Sequence, residues 1–99
     1  MQIIFEYHDV ASSERLENFA TEKLEHLQQK FDFVHRADVF FKTENRTDDN
    51  GMICDIRLSL PGPRIFASSN AALFTTAISE TVRDLEDQLK KQKSKMNPF

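Results

Sequence analysis

The chain has 99 residues, enough for one hydrophobic core and not for two. It is 39% hydrophobic and 29% charged with only two glycines, a globular profile that excludes a disordered or collagen-like chain. The formal net charge of −3 argues against a polyanion binder that works by overall charge, because such domains usually carry net positive charge. A lone cysteine, Cys54, excludes an intramolecular disulfide and a multi-cysteine zinc site, and suits a reducing cytosol. There is no run of 18 apolar residues to span a membrane, and MQIIFEYHDV has no basic stretch ahead of its apolar residues as a signal peptide would.

In chain order, Ile3, Phe5 and Tyr7 alternate with Gln2, Ile4, Glu6 and His8, which predicts a strand with those three facing inward. Ser12 and Ser13 offer N-cap oxygens, and Glu14 and Glu17 suit a helix N-terminus. The period then changes. Leu16, Phe19, Ala20, Leu24, Leu27 and Phe31 recur at steps of three and four and predict an amphipathic helix of about 18 residues. A second strand is predicted over 34–43, with Ala37, Val39 and Phe41 on one face and Arg36, Asp38, Phe40 and Lys42 on the other. The polar stretch 44–51 ends in Asn50-Gly51, two residues that tolerate positive φ, and predicts a turn. A third strand follows over 52–60 with Cys54, Ile56 and Leu58 inward. Pro61-Gly62-Pro63 breaks it, and a short fourth strand is expected over 64–69. Asn70 is the expected N-cap of a second helix running to about residue 93. Its apolar stripe is Phe74, Ala77, Ile78, Val82, Leu85 and Leu89, with i,i+4 ion pairs expected for Glu86–Lys90 and Asp87–Lys91. Residues 95–99 are expected to fray. The result is one α+β domain over 1–99 in the order βαβββα, a four-stranded sheet with both helices packed on one face and its other face open.

Catalytic and metal chemistry find little support. His8, His26 and His35 share no ligand spacing, Cys54 sits among inward apolar residues, and no nucleophile elbow, phosphate-cradling glycine loop or HExxH occurs. Neither an enzyme activity nor a cofactor is expected. Two features stand out instead. Lys90, Lys91, Lys93 and Lys95 crowd one helix end, where they complement the helix dipole or form a phosphate-contacting ridge. On the open sheet face, Ile4, Phe40, Ile53 and Phe66 mix with Arg36, Lys42, Arg57 and Arg64. Such residues serve cross-strand packing, a protein partner or RNA.

Several stretches in this order, MQIIFEYHDV, EKLEHLQQKFD (22–32), DVFFKTEN (38–45) and IFASSNAALFTTAISETVRDLEDQLKKQKSK (65–95), resemble the ribosome hibernation promoting factor family, also described as ribosome-associated inhibitors or sigma-factor modulation proteins. The resemblance covers nearly the whole chain. It implies a double-stranded-RNA-binding-like fold and a cytoplasmic protein of the family's short type, without the dimerisation domain of the long type. It also implies binding to the small ribosomal subunit near the mRNA/tRNA channel, with translation blocked sterically in resting or stressed cells. The matching basic positions, expected to contact rRNA phosphates, are Lys23, Lys30, Lys42, Lys91, Lys93 and Lys95, with Lys90 beside them. The sequence departs from the family at Asp84 and Asp87, where members usually carry cations. The alternative is therefore a protein-interaction module on the same fold, self-associating through the exposed sheet face.

Overall fold

The computed structural model describes residues 1–45, 48 and 50–96. The elements are β1 (Gln2–His8), α1 (Glu14–Lys30), β2 (Arg36–Thr43), β3 (Met52–Ser59), β4 (Arg64–Ala71) and α2 (Phe74–Met96). The strands lie in the order β1-β2-β3-β4. β1 runs parallel to β2 because α1 carries the chain back across the sheet, whereas the turns after β2 and β3 give antiparallel pairs.

Ser13 caps α1: its hydroxyl accepts the Leu16 N–H at 3.2 Å. Tyr7 ties that end to β1, donating to Glu17 Oε2 at 2.7 Å and accepting the Ser13 N–H at 3.2 Å. The inward stripe of α1 (Leu16, Ala20, Leu24 and Leu27) joins Ile78, Leu85 and Leu89 of α2 and the inward strand residues in one core, so both helices cover the same face. At its centre Phe41 is fully buried, with ring centroids 6.3 Å from Phe5, 5.3 Å from Tyr7 and 5.5 Å from Phe74. Thr81 is also fully buried. Its Oγ1 lies 3.0 Å from the Cys54 carbonyl and 2.8 Å from the Ala77 carbonyl, and its proton serves one of them at a time.

Several boundaries differ from expectation. Val34 and His35 precede β2 instead of opening it: the His35 carbonyl accepts from Gln2 and its N–H donates to Ser59, tying β1 and β3 together at one end of the sheet, while Val34 packs into the core. β4 extends through Asn70 to Ala71, so Asn70 is a strand residue paired with Ile53 and not the cap of α2. Ala67 and Ala71 still point inward there, which sustains the ladder past the polar Ser68-Ser69-Asn70 run. Helix α2 reaches Met96, past the expected end near residue 93; residues 97–99 lie outside the described residues. In the 44–51 turn, residues 46, 47 and 49 also lie outside them. Gly51 does not take a positive φ. Gly51 is needed because its carbonyl accepts the Glu44 N–H at 2.9 Å, and a Cβ there would collide with the Glu44 carbonyl oxygen. Positive φ falls instead at Gly62 (95°), between the two prolines, and at Asp9 (55°), which ends β1.

Candidate nucleic-acid interface

The predicted contact lysines divide between two faces of the molecule. On the helix side a groove of about 340 Å³ runs between α1 and α2, lined by Phe19, Lys23, His26, Lys30, Val82 and Glu86. Lys23 and Lys30 are seven residues apart, two helical turns along one edge of α1. The Lys23 ammonium lies 5.2 Å from the Phe19 ring centroid. Lys30 reaches across the groove to Glu86 Oε1 at 3.3 Å, and Lys90 meets the other oxygen of the same carboxylate at 3.5 Å. The hydrogen bond from Lys30, and then the charges of both lysines, hold the Glu86 carboxyl below the usual carboxylate range. One turn on from Lys90, Lys93 places its ammonium 5.8 Å from the Phe31 ring. Lys23, Lys30, Lys90 and Lys93 thus line one seam. Their side chains lie over aromatic rings or share a single carboxylate, which orders them while leaving surplus positive charge.

Lys91 and Lys95, one turn apart on α2, are exposed and form no ion pair among the described residues. The expected Glu86–Lys90 pair forms, but Asp87 and Lys91 stay beyond ion-pair distance. Asp84 instead accepts from Gln88 Nε2 at 3.1 Å, and that amide also donates to the Phe66 carbonyl at 2.9 Å, fastening α2 to β4. Both Asp84 and Asp87 are exposed, on the same outer flank of α2 as Lys91.

Lys42 belongs to neither group. It projects from β2 on the face away from the helices and is held by Asp55 Oδ2 at 2.9 Å. Asp55 also accepts from the Ser68 hydroxyl. The two aspartates of this face are buried, Asp38 at 6% exposure and Asp55 at 8%, although no helix covers them. Asp38 takes a bidentate contact from Arg36, at 2.9 Å from Nη2 and 3.2 Å from Nε, and faces Arg57 across the β2–β3 ladder. Alternation in the sequence marks both aspartates as outward. Their burial comes with long cationic side chains folding over them: Arg36 from the same strand and Arg57 from β3 at Asp38, and Lys42 from β2 at Asp55, the last two set by register.

The remaining candidates for chemistry are inert or scattered. Burial pushes the Cys54 thiol up to about 12, so the nucleophilic thiolate is suppressed. Among the described residues His8 pairs with its neighbour Asp9, at 3.5 Å on the surface. Among the described residues no group of three His, Cys, Asp or Glu side chains could hold a metal ion, and no helix is long and apolar enough to cross a membrane.

The architecture defines a small α+β domain whose two helices present a lysine-lined seam and whose sheet leaves its far face open. The chain belongs to the sigma 54 modulation protein / S30EA ribosomal protein family, whose model matches residues 3–97. It is 30% identical over 96 residues to a ribosome hibernation promoting factor of Klebsiella oxytoca and 31% identical to one of Salmonella typhimurium, each match covering 97% of both chains. Among solved structures, a ribosomal subunit interface protein from Coxiella burnetii superposes with a TM-score of 0.83 at 24% identity, over 95% of this chain and 99% of that one. The N-terminal domain of Thermus thermophilus Protein Y gives 0.77 at 20% identity, over 92% and 98%. These two structures bear on the fold, and they agree with the βαβββα arrangement.

Proposed function

We infer that this protein is a ribosome-associated inhibitor of translation that acts in the cytoplasm. It binds the small ribosomal subunit near the mRNA/tRNA channel and blocks translation by occupying that space, with no catalytic step. Family membership supports association with the ribosome. The observation that carries the finer reading is the helical seam, where Lys23, Lys30, Lys90 and Lys93 converge along one edge, with Lys91 and Lys95 on the adjoining flank of α2 in no ion pair among the described residues. Lysines so arranged contact rRNA phosphates without reading sequence, so affinity follows the number of contacts and falls with salt. Lys42, on the far face and engaged by Asp55, is a weaker and separate contact.

Order of addition in a purified translation system tests the steric mechanism. The protein should inhibit strongly when added to small subunits before mRNA and initiator tRNA, and weakly when added after them. Equal inhibition in both orders would contradict occupation of the channel. A second reading, a protein-interaction module, draws support from Asp84 and Asp87 on the outer flank of α2. Sedimentation of the isolated domain separates the two: a stable dimer that fails to bind small subunits favours the second, and a monomer that binds them favours the first.

A further inference from the structure

The far face of the sheet gathers three arginines around one exposed aromatic ring. Phe66 is 54% exposed and stands directly opposite Arg57 in the β3–β4 ladder. Arg64, two residues earlier on the same strand, shares its face. Arg36 stands on the same rung as Arg64, across Ser59. Asp38 is the one carboxylate in the group. Arg36 satisfies it with a bidentate contact, Arg57 Nη2 stands 3.9 Å from its second oxygen, and Arg64 has no ion-pair partner among the described residues. Three guanidiniums against one carboxylate leave this half of the face at +2. The other half differs: Lys42 is paired with Asp55, and Glu6 lies beside them.

We propose that Phe66, Arg57 and Arg64 form a contact site for single-stranded RNA, with an unpaired base stacked on the Phe66 ring and the flanking phosphates held by the two arginines. An open ring on a sheet offers a stacking platform to any base, and guanidiniums beside it, one across the ladder and one along the strand, suit the phosphates next to a stacked base. A-form duplex presents phosphates and 2′-hydroxyls instead of base faces, so it would gain nothing from Phe66. Charge disfavours a second copy of this chain, because a two-fold contact centred here sets one arginine cluster against its own image. An acidic peptide would take the arginines but leave the ring unused. The patch is separated from the helical lysines by the thickness of the sheet, so it stands independently of the helical contact.

Binding of a fluorescein-labelled eight-nucleotide oligoadenylate to the full chain, read by anisotropy, tests the proposal. Phe66→Ala should weaken binding roughly tenfold, while Phe66→Trp retains it. Arg57→Gln with Arg64→Gln should lower the slope of log affinity against log salt by about 1.4. Affinity for a blunt RNA duplex should be unchanged by Phe66→Ala. Because Phe66 is exposed, thermal melting of the variants should match the wild type, and retention by the tryptophan variant separates stacking from a folding defect. Unchanged oligoadenylate affinity in Phe66→Ala overturns the proposal. So does loss of that affinity in Lys91→Glu/Lys93→Glu alone, or a sedimenting dimer that depends on Phe66. Any of these, with small-subunit binding intact, leaves the helical reading standing.

Discussion

The helical seam and the far face of the sheet both carry cations, but they balance them in different ways. On the seam, two lysines share Glu86 and two others lie over Phe19 and Phe31, while on the outer flank of α2 Lys91 and Lys95 form no ion pair among the described residues. On the far face, Asp38 and Asp55 sit beneath Arg36 and Lys42 and neutralise those two from within the domain, leaving the surplus on Arg57 and Arg64 at one end. A net charge of −3 therefore says little about either surface. What decides is whether the anion balancing each cation lies within its reach or elsewhere on the molecule.

The core between the two faces is where the comparison breaks most completely. Phe41→Ala removes the ring that packs against Phe5, Tyr7 and Phe74 and should destabilise by about 3–5 kcal/mol, read by urea unfolding. Both surfaces should fail together in that variant; a cost below 1 kcal/mol would show that the layer repacks. Next in size is Asp38→Ala. It strips the carboxylate from beneath Arg36 and Arg57 and should cost about 1–3 kcal/mol. It also raises the positive charge of the far face, so oligoadenylate affinity should rise while small-subunit affinity holds.

Cys54 gives a pH signature of the layer itself. Its folded pKa of about 12 stands above the ordinary thiol value, so its contribution is complete below that value and is lost as pH rises through it toward the folded one. Above about pH 8.5 the loss should approach ~1.4 kcal/mol per pH unit, absent in Cys54→Ala, when denaturation curves are compared between pH 8 and 10. The smallest effect is expected at Glu86. Glu86→Gln should change stability by only a few tenths of a kcal/mol, because the ion pairs are at the surface. Freed of their shared carboxylate, Lys30 and Lys90 should bind small subunits more tightly. Because the Glu86 carboxyl is held below its ordinary range, its ties persist at neutral pH and are lost only as pH falls below that range.

Much of this was legible in the sequence. The switch from period two to period 3.6 after Tyr7, and back again before Ala37, yields the element order and the face that each helix buries. What escaped were residues whose partners are set by tertiary register. Asn70 has the chemistry of a helix cap, yet inward Ala71 keeps it in β4. Thr81 breaks the apolar stripe of α2 but is buried, because its hydroxyl finds the Cys54 carbonyl. Lys42 and the helical lysines belong to one residue class in the sequence and to opposite faces in the fold. The carboxylates that hold Lys30 and Lys42, Glu86 and Asp55, lie 56 and 13 residues away in the chain, out of reach of any local pattern.

The most direct test of the helical surface is a salt titration of binding to purified small subunits, comparing the wild type with Lys91→Glu/Lys93→Glu. The wild type should show a steep fall of log affinity with log salt. The variant, folded with an unchanged melting temperature, should bind more weakly with a slope reduced by about 2. A flat salt dependence, or equal affinity and slope for the two proteins, would contradict the assignment of ribosome contact to this helical face.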